Sequence, residues 1–135
     1  MDNPDNKSYN RGMQFDIDIS SPQAACFMVL RDLILSYTEI HEYKTAKQTT
    51  YKDSYSTVCM LRVRQNRVRL TFANGAKMQE RFEMLLGAAK IVRYLEYRDI
   101  QDIDTFLLHT MIAESLLINM EKHELQRLRC GLKRY

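Results

Sequence analysis

Four arginines around one tight turn carry the most chemistry in this sequence. The stretch from Ser56 to Arg64 is followed by Gln65-Asn66 and then by Arg67 to Ala73, with apolar residues alternating against arginines. Asn tolerates the positive φ that a two-residue loop requires, so the stretch reads as a hairpin. In that register Arg64 stands opposite Arg67 and Arg62 opposite Arg69, and the period of two sends all four to one face. Leu61, Val63, Val68, Leu70, Cys59 and Phe72 take the other face and pack on helices. Like charges directly opposite each other cost about 0.2 to 1 kcal/mol per pair. Two readings follow. The arginines splay into water, where salt screens them and they protect a sheet surface. Otherwise their repulsion is offset by an anionic ligand, a phosphate-bearing molecule, an acidic protein partner, or Glu96 of a neighbouring strand. Arginines bordered by aromatics, such as Arg93 with Tyr94 or the pair Tyr51 and Tyr55, also suit nucleotides or single-stranded nucleic acid.

Other chemistries find weaker support. An iron site needs carboxylate oxygens, with or without imidazole, converging within about 2.0 to 2.6 Å of one ion. The candidates are scattered: Asp16 with Asp18, Glu39 with His41, and Asp99, Asp102 and Asp104. Exposed strand carboxylates and charges complementing a helix start explain each of these without a metal. His109 and Glu114 are five apart, which does not stack them on one helical face, and no nucleophile–base–acid arrangement emerges. Cys26, Cys59 and Cys130 are too widely spaced for a zinc site and read as free thiols. The first two lie in apolar stretches, and only Cys130 lies beside basic residues.

The elements that must position these residues follow from periodicity. Residues 1–13 are polar and without hydrophobic period, predicting a disordered tail. Phe15 to Ile19 alternates strictly and predicts a short strand with Asp16 and Asp18 on one face. Ser21-Pro22 starts a helix over Ala24 to Tyr37, apolar around most of its circumference, which a sheet or a second copy in a homodimer would cover. Thr38 to Ala73 is β-rich, Asn74-Gly75 makes a sharp turn, and Met78 to Leu86 forms a helical turn or loop. Ile91 to Tyr97 is another strand. Asp99 or Asp102 caps a long helix from about Ile103, with Ile103, Phe106, Leu107, Met111, Leu117 and Met120 at helical spacing, ended by Cys130-Gly131. Residues 131–135 form a basic tail.

The expected fold class is therefore α+β: one domain over 14–130, an antiparallel meander flanked by an N-terminal helix and a long C-terminal helix. The chain has 135 residues, enough for a single core, and 20 Lys and Arg against 17 Asp and Glu give a net charge of +3. That excess is too small to imply nucleic-acid binding alone, and a basic chain is a poor reservoir for cationic metal. The longest apolar run, Ala24 to Leu30, is far below the roughly 20 residues that span a bilayer. The polar start shows no secretory pattern, so no membrane partner and a cytoplasmic location are expected.

Several strings, in this order, resemble the YdhG-like family of domains of unknown function. They are Tyr55-Ser-Thr-Val-Cys59-Met, Val68-Arg-Leu70-Thr-Phe72-Ala-Asn-Gly75-Ala76, Leu86-Gly87-Ala-Ala-Lys90-Ile-Val-Arg93-Tyr and Asp102-Ile-Asp104. The resemblance covers about Leu30 to Leu117 and implies a compact α+β domain; most of the family has no assigned activity, and no enzyme is implied. One branch of that family is described as a frataxin-like iron chaperone. Carried over by position, the family's acidic residue after the first helix is Glu42, its aromatic before the hairpin is Tyr51, its turn glycine is Gly75, and its Gly-x-x-Lys-x-x-Arg string is Gly87, Lys90 and Arg93. A proline common in the family is replaced here by Thr49. The expected function is a binding module contacting an anionic ligand or acidic partner through Arg62, Arg64, Arg67, Arg69, Lys90, Arg93 and Tyr51. The alternatives are an iron carrier using Asp16, Asp18 and Glu42, and an enzyme whose pocket the sequence does not reveal.

Overall fold

The computed structural model describes residues 12–132. A short helix α1 (Gln14–Asp18) precedes α2 (Ala24–Leu35). The strands β1 (His41–Lys44), β2 (Thr49–Lys52), β3 (Thr57–Arg64) and β4 (Arg67–Phe72) follow. A helical turn α3 (Gly75–Met78), strand β5 (Arg93–Tyr97), a 3₁₀ turn over Ile100–Asp102 and the long helix α4 (Thr105–Leu132) complete the fold. The five strands form one antiparallel sheet in sequence order, the meander expected for this α+β chain.

The β3–β4 hairpin has the register read from the sequence: Arg64 opposite Arg67, Val63 opposite Val68, Arg62 opposite Arg69 and Leu61 opposite Leu70. Gln65 and Asn66 close it with φ of 51° and 65°, both left-handed, as a turn matching the strand twist demands. Between β2 and β3 the register shifts at Tyr51/Lys52. An extra residue of this kind breaks the alternation, and Val58 and Cys59, adjacent in the chain, are both fully buried. Phe27, Leu30 and Ile34 of α2 and Leu108, Met111 and Ile112 of α4 pack into one core with Cys59, Leu61, Val68, Leu70 and Phe72. Both helices thus cover the same side of the sheet. Arg62, Arg64, Arg67 and Arg69 alternate with these core residues and face the opposite side.

Three sequence expectations are corrected. Phe15 to Ile19 is helical rather than extended. Helical spacing puts Gln14, Phe15 and Asp18 on the buried face and leaves Ile17 and Ile19 exposed. Asp16 and Asp18 therefore do not share a face. On α4 the buried stripe is Leu108, Met111, Ile112, Ser115 and Asn119, while Phe106, Leu117 and Met120 point outward. Two polar residues hold core positions: Ser115 Oγ donates to Met78 Sδ at 3.3 Å, and Asn119 ties loops together, its Nδ2 donating to Asp53 Oδ2 and to the carbonyls of Ser56 and Thr57 and its Oδ1 accepting from Asn74 Nδ2. The helix runs through Cys130 and Gly131 to Leu132, so no stop occurs at Cys130-Gly131 and the expected basic tail begins inside the helix. Helix α2 is covered in the first of the two ways expected: Cys26, Phe27, Leu30 and Ile34 are buried in the core with residues of the sheet. Of the expected 1–13 tail, residues 1–11 lie outside the described part of the chain, as do 133–135 of the basic tail.

The cap of α4 is Asp104, whose Oδ1 accepts from the Leu107 amide at 3.0 Å. Asp99 and Asp102 instead form a reciprocal capping box on the preceding 3₁₀ turn.

Candidate functional site

The helix-free side of the sheet places the arginines against β5. Arg69 pairs with Glu96 across β4 and β5. Glu96 Oε2 accepts from Arg69 Nη2 at 3.1 Å and Nε at 3.3 Å, and its Oε1 accepts from Arg67 Nη1 at 3.4 Å. The Arg69 guanidinium lies 3.8 Å from the centroid of the Tyr94 ring, a cation–π contact that flattens it against the sheet. One carboxylate therefore serves two of the four arginines. Arg62 Nε is buried without a hydrogen-bond partner among the described residues.

At the turn end of the hairpin this surface opens into a cleft of about 650 Å³ lined by Arg64, Arg67, Arg69, Arg98, Glu96 and Asp99, with Gln23 and the turn residues closing its sides. An adjoining depression of about 420 Å³ shares Gln23, Arg98 and Asp99 and reaches Ala25 and Cys26 in the first turn of α2. The positive end of the α2 dipole thus adds to four guanidinium groups facing two carboxylates. Gln23 Oε1, also buried, has no hydrogen-bond partner among the described residues and offers an acceptor at the cleft wall. Guanidinium forks aimed into a shared cleft suit phosphate or carboxylate bound through two parallel hydrogen bonds.

Not every expected contact converges here. Arg62 shares the face but lies outside the cleft lining, while Arg64, Arg67 and Arg69 border it. Arg93 points to the opposite side, where Nε donates to Gln79 Oε1 at 2.7 Å and Nη1 donates to the carbonyls of Val92 and Ala89. Lys90 is exposed in the loop before β5, away from the cleft lining. Tyr51 is fully buried on the helix side, its hydroxyl donating to Glu42 Oε2 at 3.0 Å, so it is a core residue rather than a ligand contact. Burial, with the Glu42 charge beside it, pushes its phenol far above the ordinary value. Tyr55 stacks on His123 with ring centroids 4.7 Å apart, so it does not join Tyr51 at a common surface. Arg98 and Gln23 were missed from sequence. Arg98 carried a usable signal, since it continues the alternation Tyr94, Glu96, Arg98. Gln23 carried none, because α2 and the hairpin tip meet only in three dimensions.

The carboxylates proposed for metal are separated by their own partners. Asp16 is exposed on α1. Asp18 is buried, its Oδ1 accepting from Gln14 Nε2 at 2.7 Å and the Val63 amide at 3.1 Å. Burial raises its pKa above the usual carboxylate value, against the opposing pull of those hydrogen bonds and of Arg62. Glu42 is clamped by Arg31. Burial disfavours its charge, but hydrogen bonds from Arg31 and Tyr51, with the Arg31 charge, more than offset this and leave its pKa below the ordinary value. Among the described residues no group of three or more His, Cys, Asp or Glu side chains is placed to hold a metal ion. Among the thiols, burial and the charges of Asp102 and Asp99 push Cys26 up to about 11, and burial pushes Cys59 higher still. His109 meets the Tyr37 hydroxyl through Nδ1 at 2.8 Å, a contact between α4 and the segment after α2.

No protein-family model, curated protein or solved structure matches this chain. No helix among the described residues is long and apolar enough to cross a membrane.

Proposed function

We propose that this chain is an anion-binding module whose ligand occupies the cleft between the β3–β4 turn and the start of α2. One observation carries the reading: four arginines from three segments line a single cleft that contains only two carboxylates. Arg64 and Arg67 meet as directly opposed like charges, an arrangement an anion would relieve. The chemistry favours a phosphate or carboxylate, gripped by Arg64 and Arg98, with Arg67 and Arg69 shared with Glu96. Gln23 supplies an acceptor for a hydroxyl or amide on the same ligand. Acidic side chains of a protein partner would present the same group to the same arginines.

Isothermal titration of the chain with inorganic phosphate and with pyrophosphate tests this directly. Saturable binding that weakens about tenfold or more on Arg64→Glu, and again on Arg98→Glu, is the expected result; each good charge-assisted hydrogen bond contributes roughly 1.5 to 3 kcal/mol. Absence of binding by wild type, or affinity in both variants unchanged from wild type, would sink the reading.

A further inference from the structure

Helix α4 is longer than the body it packs on. Its core contacts end at Asn119, and residues 121–130 are all exposed, although Lys122 reaches Asn74 Oδ1 and His123 stacks on Tyr55. The side of α4 turned away from the sheet carries a line of exposed apolar residues, interrupted by Thr110 and Glu124. Phe106 is 83% exposed, Leu117 44%, Met120 43% and Leu128 59%. Phe106, Ala113 and Met120 recur every seven residues, with Leu117 between the last two; the next positions of that repeat are Glu124 and Arg127, and Leu128, eleven after Leu117, returns to the same side. That spacing forms one ridge along a helix and is the pattern by which two helices pack along their length. A projecting helix of this kind has little stability by itself in water, and a bare phenylalanine at its base loses burial that a partner would restore.

From this ridge we infer that two copies of the chain associate through α4, antiparallel, about a two-fold axis at Leu117. The positions are symmetric about that residue: Phe106 lies eleven before it and Leu128 eleven after. In this register Leu117 meets its own copy, and each Phe106 lies level with the partner's Leu128. The projecting half of one α4 then runs along the base of the other, and the span from Phe106 to Leu128 is about 33 Å at 1.5 Å per residue. Charge selects the direction. Asp102 and Asp104 are exposed at the start of the helix and Arg127 and Arg129 near its end. Antiparallel pairing sets acidic end against basic end and opposes the helix dipoles, whereas parallel pairing sets like against like. Within the same chain, residues 1–11 offer only Met1 and Tyr9 as sizeable apolar side chains, which does not match the ridge. Such an isologous contact closes on itself and leaves no free copy of the ridge. It is independent of the arginine cleft.

Sedimentation velocity of the full chain should show a species of twice the 16.0 kDa chain mass. Leu117→Glu should return it to monomer with unchanged helix content by circular dichroism. Register is read by cross-linking in a Cys130→Ser background under mild oxidation. Leu117→Cys should form a disulfide-linked dimer by itself, while Phe106→Cys should link only when mixed with Leu128→Cys. Wild type that stays monomeric at every concentration would overturn the inference, as would self-linking of Phe106→Cys, the signature of parallel pairing.

Discussion

Arg31 Nε lies 2.6 Å from Glu42 Oε2 and Arg31 Nη2 lies 2.9 Å from Oε1, a two-pronged ion pair tying α2 to the edge strand β1. Tyr51 of β2 donates to the same carboxylate from beneath, so three elements meet on one side chain. The residue suggested as a metal ligand by family resemblance is instead a structural clamp.

Because Glu42 has a folded pKa below its ordinary 4.5, its ionisation stabilises the fold above that value, and this contribution is lost as pH falls through the folded value. Glu42→Gln should therefore lower stability at neutral pH by roughly 2 to 4 kcal/mol, since it leaves Arg31 partly buried and unpaired. It should also flatten the acid limb of the stability curve. Urea titrations at several pH values check both; an unchanged pH profile would show that Glu42 is not the titrating group.

Asp18 has the opposite sign. Its folded pKa is raised above 3.8 by burial, so the ionised form opposes folding. The stabilising influence of its protonation is full below 3.8 and lost as pH rises through the folded value. Asp18→Asn, which keeps an acceptor for Gln14 and the Val63 amide, should raise the melting temperature at neutral pH, with an advantage that shrinks in acid. Calorimetry at neutral and acidic pH measures this.

Glu96 competes with any anion for Arg67 and Arg69. Glu96→Gln should free both guanidinium groups and tighten phosphate binding roughly three- to tenfold while leaving the strand register intact. A weaker affinity in this variant would mean that Glu96 positions the arginines rather than masking them.

Two glycines should respond in opposite directions. A Cβ at Gly75 would be driven into the backbone nitrogen and the Cβ of Arg93, so Gly75→Ala should cost about 2 kcal/mol or more through forced displacement of β5. At Gly131 a Cβ meets nothing within 4 Å, and the residue is helical. Gly131→Ala should be neutral or stabilising by up to about 1 kcal/mol. Thermal melts of the two variants side by side provide the comparison.

The β3–β4 hairpin, its arginine register and the α+β meander were legible in the sequence because their signals are local. A two-residue turn with a left-handed Asn sets the pairing, and a period of two then assigns every side chain to a face. The short segment Phe15 to Ile19 was misread because five residues of alternation fit a strand and a single helical turn equally well. Packing chose the helix, which buries Phe15 against Phe27 with ring centroids 5.8 Å apart. On α4 the apolar residues outnumber the places on the buried stripe. Hydrophobicity alone could not show that Ser115 and Asn119 face inward while Phe106 and Leu117 face out, because the partners that made that choice, Met78 for Ser115 and Asp53 and Thr57 for Asn119, are distant in the chain. The cleft itself belongs to the tertiary structure. The sequence by itself determined that arginines share one sheet face, whereas the fold decided that Arg98 and Gln23 join Arg64, Arg67 and Arg69 at one end of it, and that Arg93, Lys90 and Tyr51 do not. The packing of α2 against the hairpin tip and the pairing of β5 with β4 set those distances, and neither is encoded in the spacing of nearby residues.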